Sequence, residues 1–186
     1  MKRTAITLTL LLTAALAQAH VGTDGGHHHH TFIDGLVHPF TGADHLAAML
    51  GVGLWSARHA GRRWLAPLAF VAMLLAGALL ALVGVQFMAV ETVIAVSLLA
   101  VGALLFSNAR IGAGWGAAIV GGFALFHGAA HGQELGAGPA LAGMVLATAC
   151  LHAIGIAIGV ALQRRVPWAA QAAGAAVALL GIGLLA

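Results

Sequence analysis

The sequence predicts an all-α integral membrane protein: a six-transmembrane-helix bundle preceded by a cleavable signal peptide, with both termini of the mature chain periplasmic. Three observations carry this prediction. The 186 residues are 61% hydrophobic and only 7% charged, with a mean hydropathy of +1.01, far from the balance of a soluble domain. The apolar residues fall into six long runs separated by short connections. All six arginines beyond residue 19 sit in alternate connections, the asymmetry that orients membrane helices.

In chain order, residues 1–19 have the layout of a secretory signal. Lys2 and Arg3 form the charged start, Ala5 to Leu16 the apolar stretch, and Ala17-Gln18-Ala19 an A-x-A cleavage site. The stretch is too short for a comfortable span. Residues 20–37 form a His-rich periplasmic tail, and residues 38–186 the transmembrane domain. Within it, hydropathy places spans near 42–57, 64–85, 89–107, 111–134, 139–162 and 168–186. Gly128-x-x-x-Gly132 and Gly155-x-x-x-Gly159 supply small-residue faces of the kind that let membrane helices approach closely. A single cysteine, Cys150, excludes an intramolecular disulfide. The basic pI comes from eight Lys+Arg against five Asp+Glu, a charge too sparse to support nucleic-acid binding.

Orientation follows from the arginines. Arg58, Arg62, Arg63, Arg110, Arg164 and Arg165 lie after the first, third and fifth spans, so those connections are cytoplasmic. Asp24, Asp34, Asp44, Glu91 and Glu134 lie in or near the opposite ends. The protein is expected in the bacterial inner membrane, with the lipid bilayer as a partner.

That map gathers a set of ionisable groups at the outer face. His127, His131 and Glu134 stand at i, i+4 and i+7 in the fourth span, so two imidazoles and a carboxylate share one helix face. The rise from His127 to Glu134 is about 10 Å. His38, Asp44 and His45 stand at the outer start of the first span, and Glu91 at that of the third. Ionisable groups inside a membrane are expensive and are read by default as functional. Neutral imidazole with carboxylate and no thiolate favours a borderline divalent cation. Each residue also has a plainer reading. Thr41-Gly42-Ala43-Asp44 resembles a capping box, in which Asp44 only satisfies backbone N–H groups, and Glu91 near a helix start is favoured by the macrodipole. His152 reads more readily as a hydrogen-bonded core group than as a ligand. His59, in an arginine-bearing connection, reads as solvated.

Together the motifs are more specific than their members. Residues 38–45 read H-P-x-x-G-x-D-H and residues 126–134 read F-H-G-x-A-H-G-x-E. With both in a six-span chain behind a signal peptide, the sequence resembles the HupE/UreJ family of nickel permeases, accessory proteins of hydrogenase and urease systems. The resemblance covers essentially the whole mature chain. It implies uptake of Ni2+, with His38, Asp44, His45, His127, His131 and Glu134 as metal-handling residues; Glu91 is added on position and charge. It does not separate nickel from cobalt, which shares the preferred ligands.

The tail carries a second metal signal. Cleavage after Ala19 would leave His20 with a free α-amine beside its imidazole, followed by His27, His28, His29 and His30, a composition that binds divalent metals. Two functional classes result. One is a permease in which the tail captures the ion and the spans carry it inward, with the ion as cargo and no resident cofactor. The other is a membrane-embedded metal-dependent hydrolase using the same ligands around an open coordination position. No separate nucleophile motif supports the hydrolase, and a sensor or storage protein is a more distant reading. The sequence leaves a homo-oligomer open.

Overall fold

The computed structural model describes residues 31–107, 111–166 and 168–186. The signal-peptide reading, the tail residues His20 and His27 to His30, and Arg110 lie outside the described residues. The described chain is helical throughout, without strands: α1 (Phe32–Val37), a single 3₁₀ turn (His38–Phe40), α2 (Ala43–Ser56), α3 (Leu65–Leu82), α4 (Val90–Phe106), α5 (Ala113–Leu135), α6 (Pro139–Arg165) and α7 (Ala169–Leu185). The six helices from α2 onward coincide with the six hydropathic runs to within a few residues. Leu65–Leu82, Ala113–Leu135 and Pro139–Gln163 are long and apolar enough to cross a membrane, whereas Val90–Phe106 and Ala169–Leu185 are apolar but shorter.

α1 was not distinguished from the tail by its sequence. At six residues it is too short to be stable alone. A capping box starts it: the Asp34 N–H donates to the Thr31 hydroxyl at 3.2 Å, and the Thr31 N–H donates to the Asp34 carboxylate at 2.7 Å. Packing on α6 completes it, with the backbones in direct contact where Gly35 meets Ala140 and Gly143 meets Phe32. α1 thereby anchors the 3₁₀ turn that carries His38.

Small residues set the other contacts. α3 lies along α5, α4 along α7, and α2 along α6 while also touching α4. Gly128 and Gly132 of α5 rest on the carbonyls of Leu74 and Ala78 of α3, where a methyl group would collide with backbone. Gly155 and Gly159 of α6 meet Leu50, Gly53, Leu54 and Ala57 of α2 in the same way. Both small-residue motifs are thus used for close packing. The interior holds Met49, Phe70, Leu74, Leu98, Leu105 and Met144, together with the buried polar residues Ser97, His127, His131, Thr148 and His152. Large apolar residues such as Leu68, Met88, Trp115 and Leu179 face outward, the inside-out distribution of a helix bundle in lipid.

One end of the bundle is fixed by Arg58. Its guanidinium donates to the carbonyls of Leu104 at 3.2 Å, Ser107 at 2.9 Å and Leu105, covering the exposed acceptors at the C-terminus of α4. His59 is not simply solvated as its loop position suggested. Its Nε2–H donates to the Ile111 carbonyl at 3.0 Å, and its ring packs on Trp55.

Candidate metal centre

At the opposite end, the 3₁₀ turn, the start of α2 and the last turns of α5 converge. His38 Nε2 lies 3.3 Å from Glu134 Oε2, and His131 Nδ1 lies 3.8 Å from the same oxygen. One ligand atom from each of His38, His131 and Glu134 falls within 4.8 Å of the others. His45 connects this trio to the interior, its ring 4.5 Å from His131 and 5.1 Å from His127 between centroids. The side chains grade inward from Glu134, 46% exposed, through His38 at 20% and His45 at 15% to His131 at 1%. His127, fully buried, ends the series. The cluster therefore extends from the surface into the bundle.

Hydrogen bonds decide which nitrogen of each ring is available. An ionised carboxylate only accepts, so His45 Nδ1–H donates to Asp44 Oδ1 at 3.0 Å and the lone pair is left on Nε2. Ser97 gives its hydroxyl hydrogen to the Ile94 carbonyl at 2.6 Å. Its 2.9 Å contact with His127 must then have His127 Nε2–H as donor, leaving the lone pair on Nδ1. His45 Nε2, His127 Nδ1 and both nitrogens of His131 are buried and lack a hydrogen-bond partner among the described residues. One imidazole nitrogen tied as a donor and the other held ready is how metal-ligating histidines are oriented. Asp44 and Glu134 supply the negative charge that a dication requires.

The capping role considered for Asp44 is not realised. α2 starts after Gly42 in extended backbone, with no side-chain cap, and the Thr41 hydroxyl donates to the His38 carbonyl. His38, Asp44, His45, His127, His131 and Glu134 are brought together. Glu91 is not: it is exposed in the first turn of α4 and makes no hydrogen bond or ion pair with the group.

The family model described as HupE / UreJ protein matches residues 8–184. The chain belongs to the HupE/UreJ family. Protein HupE of Rhizobium leguminosarum bv. viciae is 38% identical over 193 residues, covering 100% of this chain and 99% of that protein. No solved structure matches.

In this HupE/UreJ chain, Ser97 and Phe70 were missed by sequence reasoning. Phe70 of α3 packs against both His127 and His152, with centroids 5.7 and 5.0 Å apart. A serine or phenylalanine within an apolar span carries no signal of its own. Only the ring that each touches singles it out.

Proposed function

We propose that this HupE/UreJ protein is a permease that carries a divalent transition-metal cation, Ni2+ ahead of Co2+, inward across the bacterial inner membrane for metalloenzyme maturation. The observation that carries this reading is the cluster running from the half-exposed Glu134 through His38 and His45 to the buried His131 and His127, in which buried imidazole nitrogens lack hydrogen-bond partners among the described residues. Such atoms cost stability in an empty bundle, and an ion shedding its water uses them. The cation enters as cargo at Glu134 and His38, where it is still partly hydrated. It exchanges water for imidazole at His131, His45 and His127.

In this reading six spans place the arginine-bearing connections in the cytoplasm and the cluster at the periplasmic face. The signal peptide is removed, and both mature termini are periplasmic. A negative interior then favours entry by about 2.3 kcal/mol per charge per 100 mV. The hydrolase alternative uses the same ligands, but no separate nucleophile motif supports it. The hydroxyls of Ser97 and Thr41, which touch cluster residues, already give their hydrogens to backbone carbonyls.

Sealed proteoliposomes with a Ni2+-sensitive dye inside separate the two classes. Net dye response on adding external Ni2+ is expected, faster at inward-negative potential. Metal binding without net entry would overturn the permease.

A further inference from the structure

One fully buried imidazole lies beyond the row just described. His152 of α6 donates its Nδ1–H to the Met49 carbonyl at 2.8 Å, and its Nε2 has no hydrogen-bond partner among the described residues. A carbonyl only accepts, so the proton is on Nδ1 and the lone pair on Nε2. His45 is held in the same tautomer and His127 in the opposite one, each with one ring nitrogen tied as a donor and the other left with its lone pair. Buried polar atoms are nearly always paired, and an orphaned one calls for an explanation. His59 at the far end also has one ring nitrogen tied to a carbonyl, but through Nε2, the opposite tautomer, and its ring is only partly buried and rests on Trp55.

The position is one step inward. Met49 follows His45 by four residues on α2, just over one turn or about 6 Å along the axis. Phe70 touches the His127 ring on one side and the His152 ring on the other. Thr148, one turn before His152 on α6, is also fully buried, and its hydroxyl donates to the Met144 carbonyl, leaving acceptor capacity on its oxygen.

We propose that His152 Nε2 is an inner station for the transported cation, receiving it from the outer cluster on its way to the arginine-bearing end. This rests on the permease reading. The outer cluster holds two carboxylates, whereas no carboxylate contacts His152 among the described residues. The inner station therefore binds more weakly. Conduction needs such a gradient, since an ion must be held well enough to enter and loosely enough to leave.

The test uses the full chain as wild type, as His152→Gln, and as His152→Cys in a Cys150→Ser background. Glutamine keeps a donor for the Met49 carbonyl but loses the imidazole lone pair. Maximal Ni2+ flux in sealed vesicles is expected to fall about tenfold in His152→Gln. Calorimetric Ni2+ affinity of the outer cluster and the melting temperature should stay at wild-type values. Loaded with Co2+, His152→Cys should show a thiolate-to-Co2+ charge-transfer band that Cys150→Ser alone lacks, and this readout decides the matter should the glutamine variant fail to fold. Wild-type flux in His152→Gln, or no thiolate band, overturns the inner station and leaves the permease standing. Wild-type vesicles that bind Ni2+ without admitting it overturn both.

Discussion

The carboxylate of Asp44 fixes which nitrogen of His45 can meet an ion, and it does so without capping α2. Asp44→Asn keeps an oxygen that accepts from His45 Nδ1 but removes the charge that offsets a dication. Both Asp44→Asn and Asp44→Ala are therefore expected to lose most Ni2+ uptake. Their melting temperatures should lie close together, because no cap worth about 1 kcal/mol is lost in either. Near-normal uptake by the asparagine variant would show that charge at this position is dispensable. His131→Ala and Glu134→Ala should each lower high-affinity uptake by about tenfold or more at matched membrane levels. His131→Ala also removes two buried nitrogens that lack hydrogen-bond partners among the described residues, so the relief offsets part of the lost packing and the variant should remain folded. Calorimetry on detergent-purified protein checks that second half. On sequence alone, His127, His131 and Glu134 were legible as a group because helical periodicity puts them on one face. Ser97 and His152 were not, since a single polar residue in an apolar run gives no period and its partner lies on another helix.

Between α3 and α5 the spacing is set by glycine rather than by side-chain fit. Gly128 and Gly132 alternate along α5 with His127 and His131, so the residues that seat the helix are interleaved with those that face the cluster. Gly128→Leu should push α5 off the Leu74 carbonyl, cost about 1–3 kcal/mol of stability, and depress uptake although no ligand is touched. Thermal melting and vesicle flux on the same preparation would check it; unchanged flux at a lowered melting temperature would mean that the cluster tolerates the shift. The two small-residue motifs could be read from the sequence, but their partners could not, because small-residue spacing says nothing about which helix approaches. α1 was invisible for a different reason. Its Thr31 and Asp34 spacing fits a capping box, yet six residues become a helix only by packing on α6, more than a hundred residues away.

Over the whole molecule the charges divide between two ends. Among the described residues Arg58, Arg62, Arg63 and Arg165 lie at one, and Asp44 and Glu134 at the other, which is how hydropathic runs and a handful of charges made the helical layout legible. What the sequence could not convey was depth: that the His45 ring lies against both His131 and His127, and that exposure falls from Glu134 through His38 and His45 to the buried His131 and His127. The His-rich tail, His20 and His27 to His30, lies outside the described residues, and its proposed part is ion capture. Deleting His27 to His30 is expected to raise the apparent KM for Ni2+ with an unchanged maximal rate, because a tethered chelator raises local ion concentration without replacing the site that the ion must enter. Imidazoles must be neutral to bind, so the benefit of the tail should fade as pH falls below about 6.5. Flux titrated against free Ni2+ at two pH values checks both effects, and a collapsed maximal rate at saturating metal would make the tail part of the passage.

The central claim is that residues from α2, α5 and the turn before α2 form one site for the cation within the bundle. Ni K-edge X-ray absorption of Ni2+-loaded protein lacking His27 to His30, compared with the same protein carrying His131→Ala, tests it most directly. Multiple scattering from at least two imidazoles per nickel in the first, and a clear loss of that signal in the second, is the predicted result. A nickel spectrum without imidazole scattering once the tail is removed, or one unchanged by His131→Ala, would contradict it.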